Sequence, residues 1–248
     1  MIDAHLHLQD RAYASDRDAV LRRAEAAGVR LLVCNGTRPA DWPGVLELAR
    51  AHPAVVPCFG LHPWYAGEAP EHWLKSLEGF LDEVPSGIGE AGLDGAAGDL
   101  AAQEGALRSQ VALARSKNRP LMLHCVRAFG RLLEILREEG PLPAGFLLHA
   151  YGGSAQLVER VARLNAYFSF AAFSLDEKRP RSVEALRAVP ADRLLLETDC
   201  PDPKARTEPS DVRAVLSLAA RLRADGEDRL EAAIWENGKR LLGPLVRI

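Results

Sequence analysis

Eight short apolar segments rich in β-branched and aliphatic residues, each followed by a longer segment with helical spacing, run the length of this 248-residue chain. The apolar runs cover residues 1–8, 29–34, 54–61, 87–92, 120–125, 145–150, 166–173 and 193–198. The helical stretches cover 16–27, 42–51, 71–83, 100–117, 129–138, 155–164, a weaker one after Pro180, and 211–224. A last amphipathic segment, 229–242, follows. Strands that alternate with helices pair in parallel, and eight such units predict an α/β fold of the (β/α)8 TIM-barrel type, with an extra C-terminal helix. No linker, internal repeat or low-complexity tract interrupts the pattern, so residues 1–248 read as a single domain. A doubly wound open sheet is the competing architecture. It would place a glycine-rich phosphate turn after the first strand, where this chain has HLHL.

In a barrel, the C-terminal ends of the strands carry the chemistry. His5 and His7 stand two apart in the first run, so period-two geometry turns both imidazoles the same way. Glu90 closes the apolar Gly87-Ile88-Gly89 of the fourth run; His124, His149 and Asp199 stand at the ends of the fifth, sixth and eighth. Each would cost stability if buried unpaired, and core packing gives no reason for their coincidence at strand ends. Imidazole and carboxylate without thiolate suit a borderline-to-hard divalent cation: Zn, Mn, Mg or Co. Six such side chains exceed what one open catalytic site uses, so two divalent metal ions are expected, with Glu90 placed to bridge them. Asp199 is expected to bind one ion and to take a proton from the attacking water; Glu90 and Asp199 are thus the catalytic candidates. His62, at the end of the third run in GLHPWY, is placed beside the site as a substrate contact. His52 and His72 fall on helical stretches and receive no role.

In order along the chain, IDAHLHL, GLHPW, GEAGLD, LMLHC, LLHAYGG, LLLETDCP and WENGKRLLG resemble the successive motifs of TatD-type metal-dependent hydrolases, which are similar to the amidohydrolase superfamily. Gln103, Leu107, Gln110 and Leu113-Ala114 also resemble that family's fourth-helix pattern. The resemblance implies a two-metal hydrolase, a deoxyribonuclease acting on the phosphodiester bonds of DNA with a metal-activated water. It implies that His5, His7, Glu90 and Asp199 hold one ion, that Glu90, His124 and His149 hold the other, and that His62 and Asp94 line the site. Amidohydrolases bridged by a carbamylated lysine would want Lys where this chain has Glu90. The departures lie around the substrate. Arg127 is displaced by one position after the fifth-strand histidine, Gly95 stands where the family has Tyr, and the loop PDPKARTEP is short.

Charge bears on the partners. A net charge of −3 and a pI near 6.2 argue against a globally basic nucleic-acid coat and a polybasic membrane surface, while leaving room for a local cationic groove. Lys117, Arg119, Arg127, Arg131, Lys204 and Arg206 are the cations considered for phosphate, with Lys117 and Arg119 read as ordinary surface and Arg127 as a substrate contact. No apolar stretch is long enough to span a membrane, and MIDAHLHLQD does not read as a secretory signal. Cys34, Cys58, Cys125 and Cys200 form no CxxC pair, which fits a reduced, cytoplasmic protein. A monomer without an obligate protein partner is the expectation. The alternative function is a small-molecule amidase, lactonase or phosphoesterase on the same two-metal site. A catalytically silent scaffold and a sugar-phosphate isomerase are weaker readings.

Overall fold

The strands are buried on both faces, which is why the sequence shows apolar runs and not alternation. The computed structural model describes residues 1–175, 180–202, 207–243 and 245–246. Eight parallel strands pair in chain order: β1 (Ile2–Leu6), β2 (Leu31–Asn35), β3 (Val55–Phe59), β4 (Gly87–Asp94), β5 (Leu121–Val126), β6 (Phe146–Leu148), β7 (Ala166–Phe170) and β8 (Leu194–Leu196). Between and around them lie α1 (Arg17–Ala26), α2 (Trp42–Ala51), α3 (Trp73–Glu83), α4 (Leu100–Lys117), α5 (Phe129–Glu139), α6 (Ala155–Ala162), α7 (Pro180–Ala188), α8 (Val212–Arg223) and the additional α9 (Glu227–Leu242). The fold is the expected (β/α)8 barrel. Among the described residues no helix is long and apolar enough to cross a membrane.

The barrel closes where β8 meets β1, and hydrogen bonds beyond the regular ladder do it. The Asp199 N–H donates to the His5 carbonyl at 3.0 Å, and the His7 N–H to the Cys200 carbonyl at 2.8 Å. Deeper in the seam, the fully buried Asp3 accepts from the Thr198 N–H (2.9 Å) and hydroxyl (2.6 Å). Replacing Thr198 by Val keeps the volume and leaves a buried carboxyl short of one donor. It should lower unfolding stability by about 1–3 kcal/mol, read as a shift in the urea midpoint at constant slope. At the other end of the seam α9 does the closing. Asn237 donates to the Ala191 and Leu194 carbonyls, both at 2.8 Å, and Gly238 lets the helix settle against Ile2. These contacts account for the late WENGKRLLG motif.

Several expected strands are shorter than the sequence implies. β6 and β8 leave the ladder after Leu148 and Leu196, and Ala150 (φ +42°) and Asp199 (φ +51°) then turn through the left-handed region. The chain there trades ladder bonds for the aim of His149 and Asp199. β7 ends at Phe170, three residues early, and a short 3-10 turn at Ala172–Ser174 leaves Phe173 exposed. β4 instead runs on to Asp94, because Gly92 allows a very close approach to β5: a Cβ there would sit 2.0 Å from the His124 carbonyl oxygen.

Candidate functional site

Glu90 stands at the centre of the strand ends. Gly60 on one side and Gly89 on its own strand bring the backbones of β3 and β4 together; a Cβ on Gly60 would meet Gly89 at 2.7 Å. The carboxylate, 3% exposed, is then approached by five imidazoles. Its Oε1 lies 2.9 Å from His149 Nε2, 3.1 Å from His124 Nδ1 and 3.2 Å from His62 Nε2. Its Oε2 lies 3.3 Å from His5 Nε2 and 3.4 Å from His7 Nε2. Asp199 Oδ1 closes the second group at 3.5 Å from His7 Nε2 and 3.8 Å from His5 Nε2. One oxygen therefore faces the β3, β5 and β6 side, and the other faces the β1 and β8 side.

What stands behind each ring decides which nitrogen presents a lone pair. His7 Nδ1 lies 2.9 Å from the Asn35 carbonyl, which only accepts, so Nδ1 keeps a proton and Nε2 is the nitrogen turned to Glu90 and Asp199, the one free to ligate once its own proton leaves. His149 Nδ1 faces Glu197 Oε1 at 3.5 Å, again leaving Nε2 toward the centre. His124 Nε2 faces Asp94 Oδ2 at 3.5 Å, leaving Nδ1 inward. His62 is the reverse: its Nδ1 accepts the Trp64 backbone N–H at 3.1 Å, so the neutral ring carries its proton on Nε2 and donates it to Glu90. His62 is as near the carboxylate as the other rings but faces it as a donor.

Glu197 was not foreseen. It is fully buried; Oε1 accepts the Ala150 N–H at 2.8 Å while orienting His149, and Oε2 accepts the Ser169 hydroxyl. Carboxylates behind ligating histidines fix ring orientation and basicity. Glu197→Ala should weaken divalent-metal affinity by about 10- to 100-fold, measured by competition with a chelating dye. Its sequence signal was available in ETD, two positions before Asp199 on a period-two strand. On α4, Gln110 bonds both the N–H and carbonyl of Leu61, and Gln103 bonds both of Asp94. These buried glutamines hold the chain beside His62 and at the end of β4.

The electrostatics follow from crowding. Burial opposes the charge on Glu90, but the fields of His62, His149 and His5 outweigh it and hold the carboxyl well below its ordinary range. Burial likewise opposes a charged His7, yet its bond to Asp199 and the field of Glu90 lift it to about 9. His149 is raised well above the usual histidine value, burial being outweighed by Glu90 and Glu197. Burial dominates at His5 and His62, whose values are lowered.

The structure gathers His5, His7, His62, Glu90, His124, His149 and Asp199 at one rim, with Asp94 behind His124 and bonded to the Trp64 indole N–H at 2.7 Å. Arg127 sits at the rim just past β5, exposed, outside the residues that line the cleft. Arg131 pairs with Glu104 and Glu134 on the helical layer. Lys117 pairs with Asp82 at 2.6 Å, while Arg119 caps the Ser86 and Leu81 carbonyls, a structural task its surface reading did not include. Lys204 and Arg206 lie outside the described residues. The cleft over the cluster has a volume of about 990 Å³, and Arg11, Arg38, Trp64 and Phe173, none singled out from sequence, help to line it.

The donor set fits divalent cations. Both ring nitrogens of His5 are buried without a hydrogen-bond partner, a costly state unless a cation meets the cluster. The ligand atoms of His5, His7 and Glu90 lie within 4.8 Å of one another, as do those of His62, Glu90 and His124 and those of His5, His149 and Glu197.

Comparison with known proteins agrees with that chemistry. The family described as "TatD related DNase" matches residues 2–243. The "3'-5' ssDNA/RNA exonuclease TatD" of Erwinia tasmaniensis is 33% identical, over 97% of this chain and 99% of its own. The "Uncharacterized metal-dependent hydrolase YabD" of Bacillus subtilis is 31% identical, over 97% and 98%. Among solved structures, the TatD homologue YJJV of Escherichia coli superposes with a TM-score of 0.92 at 27% identity, covering 98% of each chain.

Proposed function

The chain belongs to the TatD-related DNase family of metal-dependent hydrolases, and from that premise we propose that it cleaves phosphodiester bonds of DNA with two divalent cations held around Glu90. The observation that supports this most directly is the division of the Glu90 carboxylate, Oε1 toward His124 and His149 and Oε2 toward His5 and His7. His5, His7, Glu90 and Asp199 would hold one ion, and Glu90, His124 and His149 the other. His7 Nε2, His124 Nδ1 and His149 Nε2 are the nitrogens turned inward that would serve as ligands. Zn, Mn, Mg and Co all suit such a nitrogen and oxygen set.

Bound divalent cations supply Lewis acidity here: they lower the pKa of water and offset charge on a phosphate. Asp199, its side chain 24% exposed at the cleft, is the group open to accept a proton from an attacking water. His62 keeps its proton on Nε2 against Glu90 Oε1 and so fixes the carboxylate's rotation. Among the described residues, Arg11 and Arg38 line the cleft and meet phosphates, with Arg127 exposed just past β5. A cleft of about 990 Å³ admits a small molecule as well as a nucleotide chain, and it is the similarity to relatives named as exonucleases that favours the nuclease over a small-molecule amidase or lactonase.

The test uses a 5′-labelled single-stranded oligonucleotide and the Mn-loaded protein. Cleavage should vanish in EDTA, and kcat/KM should fall about tenfold between about 50 and 200 mM salt, as expected for two or three phosphate contacts. Chelator-resistant or salt-independent cleavage would reject the reading.

A further inference from the structure

Four large apolar side chains are exposed among the described residues: Trp64 (58%), Leu100 (42%), Val126 (36%) and Phe173 (49%). Two of them, Trp64 and Phe173, line the cleft over the carboxylate–histidine cluster. Their places in the fold are specific. Trp64 lies in the turn after β3 and Phe173 in the turn after β7. In an eight-stranded barrel paired in chain order, β3 and β7 are four strands apart, so these turns stand on opposite sides of the mouth with Glu90 between them. Neither ring completes the core. Trp64 is anchored without being covered, its indole N–H donating to Asp94 Oδ2 at 2.7 Å and its ring edge-on to His62 with centroids 4.8 Å apart. Arg38, laid over the Tyr65 ring at 4.6 Å, lines the cleft on the Trp64 side, and Arg11 lines it as well.

The geometry points to Trp64 and Phe173 as two stacking sites that hold the nucleobases on either side of the scissile phosphodiester. This rests on the phosphodiesterase reading above. An aromatic face accepts any base, because every base has a π face, whereas cations beside it take the phosphates. Opposed walls impose a further condition. Two neighbouring bases can reach both walls only if they unstack from each other and splay apart, which a single strand does readily and a paired duplex does not. The phosphodiester between splayed bases is carried down toward the cluster. Anchoring Trp64 through Asp94 keeps its ring in place before substrate arrives, so little side-chain freedom is lost on binding.

Two octamers with identical phosphates test it: oligothymidylate, and a strand of abasic tetrahydrofuran residues. Binding is read by fluorescence anisotropy in EDTA, and cleavage is read with Mn. Wild type should prefer the thymidylate octamer by at least about twentyfold in Kd and KM. Trp64→Ala and Phe173→Ala should each weaken thymidylate binding in EDTA about tenfold and should leave binding of the abasic octamer unaffected. Trp64→Phe, which keeps a ring and loses the N–H, should retain most of the preference. Equal affinity of wild type for both octamers, variants that weaken both alike, or Trp64→Phe as damaging as Trp64→Ala would overturn the stacking assignment while chelator-sensitive cleavage leaves the nuclease reading standing. Failure of the Mn-loaded enzyme to cleave either octamer would overturn both.

Discussion

Glu90→Gln should lower kcat by about three to five orders of magnitude, the several kcal/mol expected on the proposal that this carboxylate assembles a two-metal site. The substitution is nearly isosteric, so its cost separates chemistry from packing. A glutamine fills the same volume between β3 and β5 and can still accept from His62 Nε2, 3.2 Å from Glu90 Oε1. It loses the negative charge that two cations would share. Its amide hydrogens also face nitrogens, at His5 and His7 or at His124 and His149, that have to present lone pairs. Metal content measured by inductively coupled plasma mass spectrometry should fall together with activity. A Glu90→Gln variant that keeps full metal content and a tenth of the wild-type kcat would remove Glu90 from the centre of the mechanism. The metal-free protein offers a second readout. The Glu90 carboxyl is depressed in the folded state, so its contribution to stability is present above the unfolded value of about 4.3 and is lost as pH falls through the folded value. The acid limb of the wild-type stability curve should flatten in Glu90→Gln.

Metal affinity should rise steeply with pH. His7, lifted to about 9, and His149, raised well above the usual histidine range, each hold a proton near neutrality in the metal-free protein. A ring nitrogen ligates only when its lone pair is free, so binding must expel both protons. His5 and His62 add nothing to this count, because burial has already made them neutral. The apparent Kd should therefore fall about tenfold per pH unit for each displaced proton, about a hundredfold between pH 6 and 7. Calorimetric titration with Zn or Mn in two buffers of different ionisation enthalpy counts the protons directly. Release of fewer than half a proton per chain would overturn the expectation that both histidines carry a proton in the metal-free protein and lose it on ligating.

Much of the site was legible because its signals are local. His5 and His7 share a face by strand periodicity alone, and His124, His149 and Asp199 end apolar runs that could only be strands. The GIGE segment showed where Glu90 sits, while the close backbone approach its glycines permit became visible only in the fold. Other features were illegible because they depend on partners far along the chain. Arg131 looked free until Glu104 met it from α4, and Arg119 looked superficial until the Leu81 and Ser86 carbonyls came within its reach. Glu197 went unnoticed because its meaning lies in Ser169 and the Ala150 N–H, contributed by β7 and by the turn after β6.

The chain's own order of residues determined the eight-fold alternation, the parallel barrel it implies and the six metal-competent side chains at strand ends, since periodicity and strand termini are written within a few neighbouring positions. The tertiary structure decided how the two Glu90 oxygens divide the imidazoles, which nitrogen of each ring faces inward, and that Trp64 and Phe173, from the turns after β3 and β7, line one cleft. Those outcomes arise only when strands up to four places apart in the barrel are brought to one rim, and the spacing of residues along the chain carries no measure of that distance.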